Sequence, residues 1–352
     1  MTNYGAIELS HSSPYMLEIS ESHLSPWVKE KAIYLLQSEA YNDSSAILSR
    51  LVGISLSPST FWRLGQTYGE QVGDLLSTET APCLSTNCDD ITYAMCDGSM
   101  LFTDDDWQEV KVGRIFAEKA EILPELSDLP AIPTSVVDIV EQRPVIEHST
   151  YVAHLGNYTD FIKKMTPELA PYKALNEAGK PLIFITDGAL WIKNWLLAAY
   201  PMAVLILDLW HLLEHFSKFA IIAIADKRER QIWLEQQKKS LLNSQIDLVL
   251  QNIEQVKQVK NTQTVIEEAR LLKNYVQNNR DRIDYKQYLS NGWRIGSGAM
   301  EAAHRTLIQV RMKRSGQRWS DKGAQNILNL RVAYKSKREN VIKQLIITKK
   351  AA

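Results

Sequence analysis

Residues 181–216 read PLIFITDGALWIKNWLLAAYPMAVLILDLWHLLEHF, and this stretch decides the fold. It contains two short apolar runs, each followed by an aspartate, Asp187 or Asp208, and then by a segment typical of a helix. Two consecutive units of this kind predict parallel neighbouring strands in the middle of a mixed sheet. Because open α/β sheets place their sites at the carboxyl ends of such strands, we expect both aspartates at one functional edge.

The chain before this stretch contributes three more predicted strands, at Ile91–Cys96, Trp107–Glu118 and Ser149–His154. The first is expected to end at Asp97. Both Asp97 and Asp187 are followed by glycine, and Asp-Gly is a common turn dipeptide. Taken singly, each of these acids is therefore better explained as a turn residue, and only their combination indicates a site.

The rest of the sequence is predominantly helical. Residues 1–76 contain three predicted helices in a helix-turn-helix pattern, followed by a linker at 77–90. Arg63, near the start of the third helix, could contact DNA. Residues 1–76 hold 4 basic and 8 acidic residues, however, so a structural or dimerisation domain is the alternative.

A long polar segment at 209–290 has apolar residues at three- and four-residue spacing. We interpret it as an all-helical insertion into a catalytic domain formed by 91–208 and 291–340. The predicted fold class is thus α/β, a mixed sheet with a helical insertion, preceded by an N-terminal helical domain.

Beyond the insertion, residues 296–320 read GSGAMEAAHRTLIQVRMKRSGQRWS. They predict a helix over Ala299–Arg314 with one acid, Glu301, in its first turns and a basic far end. Ser320 then caps a final helix from Asp321 to about Arg338. An acid at the start of a helix whose far end is cationic suits a metal ion beside a polyanion.

The composition is that of a water-soluble globular protein, with 45% hydrophobic and 23% charged residues. The apolar runs are too short to span a bilayer, and residues 1–15 lack the pattern of a signal peptide, so we expect a cytoplasmic protein without membrane contact. The three cysteines argue against a disulfide framework. Cys83 and Cys88 could form half a zinc site, but reduced thiols are the favoured interpretation.

The net charge of −1 hides a strong asymmetry. Residues 77–147 hold 15 acidic against 4 basic residues, and residues 303–352 hold 13 basic against 2 acidic residues. A basic segment of this kind indicates contact with nucleic acid, with a solvated helix face as the equal alternative.

Carboxylates that converge at strand ends repel each other unless a cation lies among them. Hard oxygen ligands suit Mg²⁺ or Mn²⁺, and two such ions can promote phosphodiester cleavage. Asp97, Asp187 and Glu301 are the candidate ligands.

Several short motifs occur in a specific order: Asp97-Gly-Ser, Trp107-Gln-Glu-Val-Lys-Val-Gly, Thr186-Asp-Gly-Ala with Trp191, Asp208-Leu-Trp-His211 with Glu214-His215, Gly296-Ser-Gly-Ala-Met-Glu301 and Lys313-x-Ser-Gly316-x-x-Trp319. With these motifs the chain resembles bacterial insertion-sequence transposases of the DDE type, most closely the ISKra4 family, over roughly residues 90–335. The resemblance implies a ribonuclease-H-like catalytic core and DNA as partner, both the element ends and the target. It also implies a homodimer or higher assembly that is nucleoid-associated when bound.

The resemblance further implies roles for single residues. Asp97, Asp187 and Glu301 would bind two Mg²⁺ or Mn²⁺ ions, and His211 would act at the scissile phosphate. Asp208 and His215 would lie near the site, with core packing as the alternative for His215. The implied DNA contacts are Arg305, Arg311, Lys313, Arg314, Arg318, Lys322 and Trp319, with packing in the core as the favoured alternative for Trp319.

Three other functions remain open at this point. One is a non-catalytic DNA-binding protein descended from a transposase, and another is a ribonuclease-H-like nuclease without strand transfer. A hydrolase using Asp208 and His211 is disfavoured, because the sequence has no Gly-x-Ser-x-Gly nucleophile elbow.

Overall fold

The computed structural model describes residues 24–85, 90–119 and 146–348. These residues form five strands, β1 Asp90–Phe102, β2 Trp107–Lys119, β3 Thr150–Leu155, β4 Leu182–Thr186 and β5 Val204–Leu207. The helices before and between the strands are α1 Pro26–Ser38, α2 Tyr41–Val52, α3 Pro58–Thr78, α4 Tyr158–Glu177 and α5 Leu190–Ala199.

The helices after β5 follow one another without a further strand among the described residues. The segment predicted as an insertion comprises α6 Leu209–Ala223, α7 Lys227–Leu242, α8 Ile246–Val259, α9 Gln263–Asn278, a 3₁₀ turn Arg280–Arg282 and α10 Tyr285–Ser290. After it come α11 Gly298–Ala303, a π-helical segment His304–Gln309, α12 Val310–Met312, α13 Asp321–Lys335 and α14 Glu339–Thr348. The helices expected at 209–290 are thus present, while the division into domains stays a prediction.

The five strands form one mixed sheet in the order β3-β2-β1-β4-β5. β1 pairs with β2, and β2 with β3, in antiparallel fashion, whereas β1, β4 and β5 are parallel neighbours. This confirms the mixed sheet and the parallel pairing expected from residues 181–216. Their expected place in the middle of the sheet was wrong for β5, which lies at one edge because no further strand among the described residues pairs with it.

Alternating residues of β1 enter two separate cores. Tyr93 and Met95 belong to a large cluster with the N-terminal and C-terminal helices, and Ala94 and Cys96 to a smaller one with α4 and α5. The sheet is therefore covered by helices on both faces, as expected for strands that are buried throughout.

Helix caps follow the sequence closely. The Ser25 hydroxyl accepts a hydrogen bond from the Val28 N–H, and Pro26 occupies the first turn of α1. The side chains of Ser57, Asn157 and Ser320 cap α3, α4 and α13 in the same way.

Three predicted boundaries were wrong. β1 continues to Phe102 rather than ending at Cys96, because its pairing with β2 extends over its full length. The helix at the Glu301 segment ends at Met312 and contains the π-helical segment. The last helix ends at Lys335, because Lys337 adopts a positive φ of 55° and separates α13 from α14. Cys88 and the expected arm at 1–20 lie outside the described residues, and so does nearly all of the expected loop at 119–147.

None of the helices in 24–85, 90–119 and 146–348 is both long enough and apolar enough to cross a membrane.

Candidate active site

The register of the parallel strands brings three aspartates to one edge of the sheet. Cys96 pairs with Thr186, and Thr186 pairs with Leu207, and these are the last paired residues of β1–β4 and β4–β5. The next residue on each strand is an acid: Asp97, Asp187 and Asp208. Asp97 is not at the end of β1, but it lies where the parallel pairing stops, so it is a register neighbour of Asp187.

Asp97 and Asp187 line one open cleft with a volume of about 200 Å³. The lining comprises Asp97, Gly98, Met100, Glu109, Asp187, Ala189, Trp191 and Ile192. Three of these described residues are acidic and none is basic. The lining is therefore acidic, and although Lys111 pairs with Glu109, a cation would relieve the repulsion between Asp97 and Asp187.

Glu109 was not expected from the sequence. Its carboxylate accepts a hydrogen bond from Lys111 Nζ at 2.8 Å and lies directly over Gly98. A Cβ at Gly98 would come within 2.0 Å of Glu109 Oε1, so a larger residue at position 98 would displace the Glu109 carboxylate from its present place. The strand-pairing register of β1 and β2 could have indicated Glu109 only if the extension of β1 had been foreseen.

Burial is the largest influence on the pKa values of Asp187 and Cys96, which lie at the cleft and directly before Asp97, respectively. Burial raises the pKa of Asp187, and the negative charge of Asp97 raises it further. The Ala189 N–H donates to Asp187 Oδ1 at 3.0 Å, and this bond together with the charges of His211 and Arg282 acts in the opposite direction. Burial, followed by the charges of Asp97 and Asp187, likewise raises the pKa of the Cys96 thiol, which is therefore not a nucleophile at neutral pH.

Asp208 has a structural role that the sequence did not reveal. It is buried, caps α6 through the Trp210 N–H, and accepts two hydrogen bonds from Ser297, from N–H at 3.1 Å and from Oγ at 2.6 Å. These bonds join the Gly296-Ser-Gly segment to the end of β5. Burial raises the pKa of Asp208, and the bonds from Ser297 and Trp210 oppose this effect.

Glu301 lies in the first turn of α11, and its side chain is exposed. It does not form a cluster with the two aspartates: among the described residues no group of three or more His, Cys, Asp or Glu side chains is placed to hold a metal. Of the three predicted metal ligands, Asp97 and Asp187 therefore lie together in this structure, and Glu301 does not join them.

His304, three residues after Glu301, is the residue of this helix that contacts the site. No role for it was predicted from the sequence. Its Nε2 lies 3.1 Å from Asp97 Oδ2, and the residue is only 8% exposed. His304 begins the π-helical segment, and π-helical turns are frequent at functional sites.

The two histidines of α6 have different surroundings. His211 is close enough to both Asp187 and Asp208 to influence their pKa values. His215 stacks on Tyr275, with the ring centroids 4.2 Å apart, and burial lowers its pKa. The core-packing alternative therefore describes His215 better than a direct role.

Two of the residues implied as DNA contacts are inside the protein. Arg311 is 1% exposed, lies between the rings of Tyr41 and Trp319, and donates from Nε to Leu36 O at 3.2 Å. Trp319 is 7% exposed, and its Nε1 donates to Met312 O at 3.0 Å. Both are packing residues in this structure. The expected exposure of Arg311 to DNA was wrong, whereas Trp319 packs in the core, as its favoured alternative predicts.

The other cations lie at the surface, and several bind partners. Arg314 pairs with Glu39 and Asp43, Lys322 with Glu70, and Arg318 with Asp104, all at 2.7–3.4 Å. Lys313 donates to Ser99 Oγ, Arg63 donates to Thr60 Oγ1, and Arg305 is exposed. Exposed pairs of this kind are weak, so phosphate oxygens could replace the acids.

A model of the uncharacterised protein family UPF0236 matches residues 165–343, half of the chain. The chain belongs to the UPF0236 family. No curated protein matches its sequence. The part of this UPF0236 chain that matches extends from α4 into α14 and contains Asp187, Glu301 and His304, whereas Asp97 lies before it.

Proposed function

We propose that this UPF0236 chain is a DDE-type transposase with a ribonuclease-H-like core, which cleaves DNA at the ends of an insertion sequence and transfers the strand to a target. The observation that supports this most directly is the register of Asp97 and Asp187, which are neighbours at the carboxyl edge of parallel strands and share a cleft. The strand order β3-β2-β1-β4-β5, three antiparallel strands followed by two parallel ones, is compatible with that core.

The donor set of the cleft suits a divalent cation. Mg²⁺ in phosphoryl-transfer sites is commonly held by one or two carboxylates, with water and substrate oxygens completing its shell. Asp97 and Asp187 would provide these carboxylates, and no basic side chain among the described lining residues competes for the position. Bound Mg²⁺ or Mn²⁺, as one or two ions, would lower the pKa of water and stabilise the leaving oxygen.

The protein's own residues have separate tasks in this proposal. The Ala189 N–H orients the carboxylate of Asp187, and His304 orients that of Asp97. Glu301, exposed one turn before His304, would complete the ligand set when metal and DNA are bound. His211, which influences the pKa of Asp187, would orient the scissile phosphate or transfer a proton.

DNA would contact the exposed cations rather than the buried ones. Arg305, Lys313, Arg318 and Lys322, together with Arg63 of α3, are the proposed phosphate contacts. Binding through such contacts weakens steeply with rising salt, because counterions are released from the DNA. Two ends must be held together for transfer, so we propose a homodimer or a higher assembly on DNA.

The test uses the full chain with a duplex that contains the inverted repeats flanking its own gene. We expect Mg²⁺-dependent nicking at the repeat and joined products with target DNA. Asp97→Asn, Asp187→Asn and Glu301→Gln should retain DNA binding and lose nicking, whereas Glu235→Gln, an exposed acid on α7, should behave like the wild type.

The outcomes separate the competing functions. Nicking without joined products would indicate a nuclease without strand transfer. DNA binding without nicking in either Mg²⁺ or Mn²⁺ would indicate a non-catalytic DNA-binding protein. Full strand transfer by Glu301→Gln would remove Glu301 from the ligand set.

A further inference from the structure

The end of the helical segment 209–290 reaches the same sheet edge as the catalytic aspartates. Tyr285 donates from its hydroxyl to Leu207 O at 2.8 Å, at the last residue of β5. Tyr275 packs on Gly188, where an added Cβ would lie 2.3 Å from the Tyr275 ring. Between them, Arg282 extends its side chain into the interior and is 1% exposed. The helical segment therefore covers the ends of β4 and β5 from one side.

The guanidinium of Arg282 binds the ends of two strands at once. Its Nη2 donates to Thr186 Oγ1 at 2.6 Å and contacts the carbonyl oxygens of Asp187 at 3.2 Å and Ile206 at 3.4 Å. Its Nη1 donates to Asn279 Oδ1 at 3.2 Å, which orients the guanidinium from the helical side. One side chain thus links the main chain at Asp187 to β5 and to the turn after α9.

In the described part of the chain, Arg282 is buried without a carboxylate partner at hydrogen-bond distance. A buried charge is costly unless it is paired, and Arg282 forms no salt bridge among the described residues. Its partners are carbonyl oxygens and a hydroxyl, which would themselves be left without these donors if the arginine were removed. Its charge also acts on Asp187, where it lowers the pKa of the carboxyl against the effect of burial.

We propose that Arg282 is a positioning residue for Asp187: it fixes the main chain at Thr186–Asp187 so that the carboxylate is presented to the cleft for a divalent cation. The helical segment 209–290 is then needed to position Asp187, so deleting it would disturb the site. The metal-binding part of this inference rests on the proposed function, whereas the positioning of the main chain does not.

Two variants weaken the contact without removing a helix. Arg282→Lys keeps the charge but cannot reach two strands with a fixed fork of donors. Thr186→Val removes the hydroxyl that Arg282 binds while retaining the shape of a β-branched side chain. The matched control is Arg280→Lys, two residues away, because Arg280 is at the surface and pairs with Asp247.

Three quantities are measured on each full-length variant: the thermal midpoint, the amide hydrogen exchange of the peptide covering 186–189, and the affinity for Mn²⁺ by calorimetry. We expect faster exchange at 186–189 in Arg282→Lys and Thr186→Val than in the control. We also expect an affinity for Mn²⁺ that is lower by about tenfold, as is common when a group supporting a metal ligand is lost.

A lower thermal midpoint with exchange at 186–189 equal to that of Arg280→Lys would overturn the inference, since Arg282 would then support the fold alone. Faster exchange with an unchanged Mn²⁺ affinity would overturn its metal-binding part. If the wild type binds no Mn²⁺, the proposed function fails, and the exchange measurement still decides whether Arg282 positions Asp187.

Discussion

At the residue scale, the cleft contains a carboxylate, that of Asp187, whose burial is unfavourable for folding. Asp187 is partly buried beside Asp97, and burial raises its pKa, so its ionised form is destabilised in the folded protein. Active sites commonly retain such groups because function requires them, at the expense of stability. The hydrogen bond from the Ala189 N–H and the charge of Arg282 reduce this cost only in part.

Replacing Asp187 by asparagine should therefore stabilise the metal-free protein while abolishing nicking. The amide side chain keeps an oxygen for the Ala189 N–H but has no charge, and we expect a gain of about 1 kcal/mol in the free energy of unfolding near pH 7. Because the folded-state pKa of Asp187 is raised, the wild type loses stability as the pH rises from the ordinary aspartate pKa of 3.8 through that raised value. The gain should then shrink as the pH falls towards 3.8.

Urea unfolding in the presence of EDTA, at neutral and at acidic pH, measures this difference. Asp226→Asn provides a comparison, since Asp226 is an exposed cap of α7 whose carboxylate binds the Glu229 N–H. An Asp187→Asn variant less stable than the wild type at both pH values would contradict the assigned cost of burial.

At the element scale, arginines of the C-terminal segment form hydrogen bonds with the end of α1. α1 has no basic residue in its own last turn, and its last three carbonyl groups, at Leu36, Gln37 and Ser38, accept hydrogen bonds from Arg311, Arg331 and Arg314. Cations at a helix C-terminus are stabilising because they oppose the negative end of the helix dipole. Part of the basic C-terminal segment thus serves the fold, which explains why Arg311 is buried.

The crossing of α3 over α13 depends on glycine. A Cβ at Gly69 would lie 2.5 Å from Asn326 O, a main-chain atom, whereas one at Gly73 would meet the Asn329 side-chain amide at 2.3 Å. Gly69→Ala should therefore separate the two helices and cost about 1–3 kcal/mol of folding free energy, as overpacking does. Gly73→Ala should cost less, because the Asn329 side chain can shift at the expense of its hydrogen bond to Gly69 O, whereas the main chain at Asn326 moves only with α13 itself.

Chemical denaturation of the two variants provides the comparison. Equal losses, or a larger loss for Gly73→Ala, would show that separating the main chains at this crossing costs no more than displacing the Asn329 side chain. The intrinsic preference of alanine over glycine in helices favours both variants equally, so it does not affect the difference.

At the scale of the whole molecule, local patterns predicted the elements better than the contacts between them. The strands of residues 181–216, their parallel order and the caps at Ser25 and Ser320 were evident from periodicity and cap chemistry. The extension of β1 depends on its partner β2, and the roles of Arg282 and His304 depend on segments 96 and 207 residues away. Such pairings have no local signature.

Tertiary contacts also decide which cations of the C-terminal segment are exposed and which are buried. This difference leads to a prediction about DNA binding. Arg305 is exposed, whereas Arg311, six residues on, is buried against Tyr41 and Trp319. If DNA binds through exposed phosphate contacts, Arg305→Ala should weaken binding to any sequence and reduce the slope of log K against log salt by about one phosphate contact. Arg311→Met should lower the thermal midpoint and leave that slope unchanged.

Fluorescence anisotropy of a labelled duplex over a series of salt concentrations measures both slopes, at a temperature where each variant is folded. A reduced slope for Arg311→Met with an unchanged slope for Arg305→Ala would mean that DNA reaches the interior face of this segment, and thus that the N-terminal helices move away when DNA binds.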